Sequence, residues 1–356
     1  MKICYIMGRL QRGGQFYVML REALLCAERS IGVVGALDAS EKAVDELMKA
    51  GISSIYVGCE ELLKVLRDVD VVHMHDGFRL LLYARFRDYR LDKVLREKPL
   101  VVTYHGMPSV FLLPFRSWFT WIAFKSMYYG LVERYANVVV AISSYVAEEL
   151  RRRGIEPVVI YNGVDIPSDV GSKHLEKDVL RVLYVGSGAK HKAVDELVKF
   201  FLKYRDRLCR DLDLEVKVTI AGFQVDKRCP RSRPPWLEVY SSIPREKVLD
   251  LYREGHIYVS ASRWEGFGLG PLEALAHGTP VILRDTPVVR ELFSSCESVC
   301  IVPNFRSYEH VLKAFRYIVE HYEEISKRGI KYAKRFSWDK HIEKLIDIYT
   351  KILRKQ

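Results

Sequence analysis

Residues 260–283 read Ser-Ala-Ser-Arg-Trp-Glu-Gly-Phe-Gly-Leu-Gly-Pro-Leu-Glu-Ala-Leu-Ala-His-Gly-Thr-Pro-Val-Ile-Leu. The apolar run Ile257-Tyr258-Val259 before them predicts a buried strand, and Gly266, Gly268 and Gly270 predict a loop. Pro271 stands where a first helical residue is favoured, with Leu272, Leu275 and Ala276 on the inner face of the helix that follows. Gly278 stops that helix, and Val281-Ile282-Leu283 begins another strand. Glycines let backbone N–H groups approach a ligand that any Cβ would block, and a helix N-terminus adds unpaired donors and partial positive charge. Such a cradle suits phosphate. Glu265 in the loop and Glu273 in the first turn of the predicted helix accept hydrogen bonds, which points to sugar and ribose hydroxyls beside that phosphate.

A chain of 356 residues fits two domains better than one core. The first half alternates β-branched runs with helical patterns, the sign of a parallel sheet wound with helices. Strands are expected at 2–7, 31–36, 54–57, 69–74, 99–104, 137–142 and 157–161. After the first strand comes Gly13-Gly14, then a helix with Val18, Leu20, Ala23 and Leu24 inward. This is neither a G-x-G-x-x-G fingerprint nor a P-loop, and it reads as a turn facing phosphate or acceptor.

Two histidine sites follow at strand ends, His73-Met74-His75-Asp76 and Thr103-Tyr104-His105-Gly106. Ligands of open α/β sheets bind beyond the carboxyl ends of the strands, so both are expected to face a cleft. Spacing of two puts His73 and His75 on one face of a strand, where with Asp76 they resemble part of a metal site. No further ligand is evident in the sequence, and no metal is expected.

Apolar content of 49% with 28% charged residues is that of a globular protein. The first strand begins almost at residue 1, so no secretory leader is expected. Seven scattered cysteines without a C-x-x-C pair argue against zinc and for a reducing, cytoplasmic setting. Asn and Gln together number seven beside abundant Lys, Arg and Glu, a composition that suggests a thermophilic source.

The net charge of +11 is uneven: residues 1–170 carry 22 Lys and Arg against 20 Asp and Glu, residues 171–356 carry 34 against 25. The excess falls in the half with the glycine loop and fits an anionic ligand there. No recognition helix, zinc knuckle or RNA-binding sheet signature accompanies it, so a nucleic-acid partner is not expected. Residues 108–135 are dense in aromatics, with Arg116, Lys125, Glu133 and Arg134 as their charges. They are too charged for a transmembrane span. Two readings remain, a peripheral contact in a membrane interface or helices packed over the sheet.

The second half repeats the strand–loop–helix pattern. Val182-Leu183-Tyr184-Val185-Gly186 is a strand, Ser187-Gly188-Ala189-Lys190-His191-Lys192 a loop, and Val194, Leu197, Val198 and Phe201 mark a helix. Strands are also expected at 218–223 and 299–303, and 163–178 reads as a linker. The chain ends in an amphipathic helix with Ile342, Leu345, Ile346 and Ile348 on one side.

Glu265, seven residues, then Glu273, set around Gly266-Phe267-Gly268 and before Gly278-Thr279-Pro280-Val281-Ile282, resembles the signature of glycosyltransferase family 4. Asn162-Gly163-Val164-Asp165 resembles that family's interdomain marker, and the likeness covers nearly the whole chain. It implies a GT-B fold of two Rossmann-like domains facing across a cleft, 1–167 and 168–339, with helix 340–356 packing back on the first. It further implies transfer of a sugar from a nucleoside-diphosphate sugar to a glycan or lipid-linked acceptor, with retention of configuration and without a metal or other cofactor. By resemblance Glu265 holds the donor sugar, Glu273 the ribose, Lys192 the diphosphate, and His105 contacts the transferred sugar. Gly13, Gly14 and the backbone of Gly266, Phe267, Gly268 and Leu269 border the donor, and the segment around Ile243 lies beside the base. The family usually places an arginine where this chain has Ser187, which leaves Lys190 or Arg12 to supply the second cation. An alternative on the same scaffold is a nucleotide-sugar 2-epimerase, and another is a sugar- or nucleotide-binding protein without activity.

Overall fold

The computed structural model describes residues 1–11, 13–26, 31–75, 77–107, 118–168, 170–171, 173–175 and 178–355. It divides into two compact units: Met1–Gly163 with Trp338–Gln356, and Val164–Ser337. Arg12, Asp76, Phe115 and Arg116 lie outside the described residues.

The first unit is built on seven parallel strands, β1 (Lys2–Leu10), β2 (Ile31–Ala39), β3 (Ile55–Val57), β4 (Val71–His75), β5 (Leu100–Tyr104), β6 (Val138–Ala141) and β7 (Val158–Val159). Their spatial order is β3-β2-β1-β4-β5-β6-β7. β1 pairs with β2 on one side (Ile3 opposite Gly32) and with β4 on the other (Ile3 opposite Val71). Strand order reverses at that point, which in open α/β sheets is where ligands collect. β4 and β5 are buried along their whole length, as strands covered on both faces must be.

The helix Trp338–Leu353 belongs to this unit. Its Ile342, Leu345, Ile348, Tyr349 and Ile352 join the core that holds Ile3, Tyr5, Val34, Val71 and Val101. Each such aliphatic side chain contributes about 1.5–3 kcal/mol on burial, which fixes the chain's end to a sheet begun at its start.

The helix Trp118–Tyr135 shows two characters. Tyr128, Tyr129, Leu131, Val132 and Tyr135 are buried, whereas Phe119 is 84% and Ile122 52% exposed. Lys125 is paired with Glu149. Among the described residues no helix is long and apolar enough to cross a membrane.

The second unit has six parallel strands, β8 (Val179–Val185), β9 (Glu215–Gly222), β10 (Leu237–Ser241), β11 (Ile257–Ser260), β12 (Val281–Arg284) and β13 (Val299–Val302). The order is β10-β9-β8-β11-β12-β13, with the reversal between β8 and β11. β10 was not legible in the sequence: it is a half-exposed edge of five residues, and Glu238 and Ser241 dilute its pattern. The helix of the signature stretch spans Leu269–Ala276 and so starts two residues before Pro271. Gly268 caps it at φ +104°, a conformation side chains rarely adopt. Gly270 is helical, not loop, and a Cβ there would lie 2.6 Å from the Tyr258 hydroxyl. Pro271 is tolerated because N–H groups of a first turn have no partner inside the helix. Glu273 is therefore the fifth helical residue and not part of the first turn.

Candidate functional site

In the second unit the loops after β8 and β11 leave the sheet side by side, because those strands pair at the reversal. Arg263 N donates to the His191 carbonyl at 2.7 Å, and the His191 ring meets Trp264 edge-on at 5.6 Å. Burial pushes His191 down to about 4, with Lys192 acting in the same direction, so its ring is neutral at ordinary pH. These contacts bring Lys192 to Glu265, with Nζ donating to Oε2 at 2.6 Å. The pair is 22% and 16% exposed, within reach of an incoming ligand.

Ser187 stands on the same loop, its carbonyl accepting from the Tyr184 hydroxyl at 3.1 Å. Lys190 is exposed in the short 3₁₀ turn Lys190–Lys192. A third cation lies beside this loop: Arg228 Nε donates to the Gly188 carbonyl at 2.6 Å. Nothing in the sequence singled it out, since 40 residues separate the partners.

Gly266, Phe267 and Gly268 are buried, and Leu269 half-buried. Phe267 packs its ring edge-on against Phe336 at 5.9 Å. Glu273 is 7% exposed and meets Arg245 Nη2 at 2.5 Å. Arg245 follows Ile243 by two residues, in the segment beside which the sequence places a base. The structure thus joins Lys192 to Glu265 and Glu273 to Arg245, two ion pairs flanking one helix start. Nothing in the sequence singled out Arg245, since 28 residues separate it from Glu273.

In the first unit Gly13 and Gly14 are exposed at the start of the helix Gly14–Cys26. His105 follows β5 directly and is buried. It stands in a polar cluster that no local motif announced. Glu22 projects from that first helix into the core with no exposure at all. Its Oε1 accepts from His341 Nε2 at 2.9 Å, and its Oε2 lies 3.0 Å from His75 Nε2 and 3.2 Å from His73 Nδ1. His75 Nδ1 is 3.0 Å from His105 Nε2, and Tyr349 meets His73 Nδ1 at 2.6 Å.

Burial alone would raise the Glu22 carboxyl, but His75 and His73 beside it and N–H donation from His341 and His75 hold it well below the usual carboxylate range. Burial drives His73 down to about 3 and His105 well below the histidine range, with His75 adding to the shift on His105. Ligand atoms of Glu22, His73 and His75 lie within 4.8 Å of one another, so these three could hold a metal ion. Glu22 is a candidate ligand that the sequence reading did not name beside His73 and His75. Spacing could have found it, for Met19, Glu22, Ala23 and Cys26 share the buried face of one helix. His341 likewise sits one turn before Leu345 on a buried stripe.

Residues 165–336 match the family model described as Glycosyl transferases group 1, and residues 43–167 match that described as Glycosyltransferase Family 4. The GDP-mannose:cellobiosyl-diphosphopolyprenol alpha-mannosyltransferase of Xanthomonas oryzae pv. oryzae is 26% identical over 313 residues, 83% of this chain and 78% of that protein. Its namesake from Xanthomonas campestris is 27% identical over 247 residues, 66% of this chain and 61% of that protein. Anabaena HepE, solved in complex with UDP-glucose, has a TM-score of 0.77 at 14% identity over 99% of this chain and 100% of that one, a likeness of fold. With two parallel-sheet units and adjoining matches from residue 43 to 336, the chain belongs to glycosyltransferase family 4 and has the GT-B fold.

Proposed function

We propose that this glycosyltransferase moves a hexosyl group from a nucleoside-diphosphate sugar to a glycan or lipid-linked acceptor, with retention and without a metal. The observation that supports this reading most is the paired arrangement of Lys192–Glu265 and Arg245–Glu273 about the glycine-capped start of the helix Leu269–Ala276. Donor binding exchanges these internal pairs for ligand contacts. Lys192 turns to the diphosphate, Glu265 to sugar hydroxyls and Glu273 to the ribose, while Arg245 is freed toward the nucleotide. Arg228 and Lys190 are the cations beside the loop in which Ser187 replaces arginine.

In the transfer step the bond from the sugar's anomeric carbon to the diphosphate breaks, and the acceptor oxygen bonds to that carbon on the same face. The acceptor's proton passes to the departing diphosphate. Lys192 and the unpaired N–H groups at the helix start stabilise the charge that develops there. His105 contacts the transferred sugar. The exposed Phe119 and Ile122 support a reading of peripheral contact, from the cytoplasmic side, with a membrane carrying the acceptor.

The first donor to test is GDP-mannose, since two relatives carry it in their names. Turnover across GDP-, UDP-, ADP- and TDP-sugars, with product configuration read by NMR, tests donor and stereochemistry together. Sugar isomerised and not transferred would favour the epimerase, a reading that two transferase family models do not support. Loss of turnover with EDTA, restored by Mg²⁺ or Mn²⁺, would overturn the metal-free step.

A further inference from the structure

The polar cluster of the first unit has a direction that its partners enforce. His341 Nδ1 lies 2.8 Å from the Tyr161 carbonyl, which can only accept, so that nitrogen carries hydrogen. Glu22, as a carboxylate, accepts on both oxygens: from His341 Nε2 at 2.9 Å and from His75 Nε2 at 3.0 Å. A neutral imidazole has one N–H, so with Nε2 donating, His75 Nδ1 is a lone pair. It faces His105 Nε2 at 3.0 Å, which must then be the donor. The remaining nitrogen, His105 Nδ1, is left unprotonated and has no partner among the described residues. His73 touches this chain of bonds at Glu22 alone, with Nδ1 3.2 Å from Oε2 and also facing the Tyr349 hydroxyl, and Nε2 2.7 Å from Thr103 Oγ1. With His341 carrying hydrogen on both nitrogens and Glu22 ionised the site is neutral overall, and the opposite polarity needs one more proton, on Glu22 Oε2 or on His75 Nδ1. That would put a net positive charge into a sealed site, which burial opposes.

We infer that Glu22 and His75 are positioning residues that lock His105 as its Nε2–H tautomer, so that substrate meets an acceptor nitrogen and not a donor. The inference rests on the reading of His105 as the group contacting the transferred sugar. The feature recognised there is a sugar hydroxyl that donates its hydrogen. A donor with that hydroxyl replaced by fluorine, which cannot donate, is rejected even though its size is nearly kept.

The test is NMR of the full chain labelled with ¹⁵N-histidine, with the His105 signals assigned by their loss in His105→Asn. The ring nitrogens report the tautomer directly. In the unmodified protein without donor, His105 is expected neutral with hydrogen on Nε2. His75→Phe keeps the ring's bulk and removes the acceptor, so the His105 tautomers should mix and turnover fall mainly in kcat. Partners that fix an imidazole's tautomer are worth on the order of 10- to 100-fold where measured at metal-bound histidines. An Nδ1–H or doubly protonated His105 in the unmodified protein overturns the inference, whether or not the variant folds. So does a folded His75→Phe with an unchanged tautomer and full turnover, or one equivalent of metal bound through His73 and His75. Because the tautomer is read without donor, failure to transfer any sugar counts against the functional reading and leaves this result standing. An Nδ1–H tautomer in an active enzyme counts against the inference alone.

Discussion

The two candidate sites, one in each unit, hold their central charges in opposite ways. In the first, Glu22 is sealed in the core and its oxygens are met by His341, His75 and His73. In the second, Lys192 and Glu265 stand partly exposed, each the other's partner across two loops. A closed network over-determines its geometry, so damage to it appears first as lost stability. A displaceable ion pair is cheap to break in water, so damage to it appears as lost binding or rate.

The largest expected effect breaks the closed side. Glu22→Ala leaves three imidazoles around an empty place, and removing one partner of a buried pair costs about 3–5 kcal/mol. Hydrogen exchange should show β1 and β4 losing protection while β8 and β11 keep theirs. Equal protection in both sheets would mean that the cluster is no keystone. On the open side, Lys192→Ala should lower turnover by about 10²–10³-fold, as loss of one donor to a developing anion does, with the melting temperature little changed. Turnover untouched by that variant would remove the diphosphate from this loop. Glu273→Ala should weaken donor binding by about 1.5–3 kcal/mol, the worth of a hydrogen bond to a charged group, as read by calorimetric titration. An unchanged affinity would leave Glu273 as merely the anchor of Arg245.

Acid sharpens the same contrast. His73, held at about 3 in the fold, has an ordinary value of 6.5 when unfolded, so between these limits the unfolded chain binds the extra proton. Stability is then full above about 6.5 and is lost as pH falls toward 3, at no more than about 1.4 kcal/mol per pH unit for one group. The depressed Glu22 carboxyl acts in the same direction. Exchange corrected for its intrinsic rate should show the first sheet opening at a higher pH than the second; the reverse order would contradict the assignment. The smallest effect concerns the exposed aromatic helix. Phe119→Ser with Ile122→Ser should reduce co-sedimentation with anionic liposomes, leaving donor affinity intact, and no change in co-sedimentation would end the membrane reading.

The contrast also explains what could be read in advance. The open site lies on loops beside strand ends, and its residues come in tight sequence clusters: Glu265 and Glu273 within one signature, Lys192 six residues after Gly186. The parallel sheets were equally plain, since strands covered on both faces are continuous apolar runs such as Val138-Val139-Val140-Ala141. What stayed hidden were side chains paired across long separations. Arg228 reaches Gly188 over 40 residues, and Glu22 reaches His75 over 53. Helical spacing marks Glu22 as inward-facing, but only the sheet order β2-β1-β4-β5 supplies the histidines it meets. The edge strand β10 and the early start of the signature helix were lost to short range: five residues carry too little pattern, and Pro271 draws the eye past a glycine that already turns the chain.

The bond between His341 and Glu22 joins residues 319 apart, and it bears on how the protein is born. A ribosome adds roughly 5–20 residues per second, and domains generally fold as they emerge. The unit begun first is here the one finished last. Until Trp338–Gln356 appears, the sheet opened by β1 lacks Ile342, Leu345 and Tyr349, and Glu22 lacks His341. The unit spanning Val164–Ser337 is continuous in the chain. It can mature while its predecessor waits, half-made, with an unanswered carboxylate inside. A chain released before the helix Trp338–Leu353 would carry that flaw permanently, an incomplete core offered to chaperones and proteases.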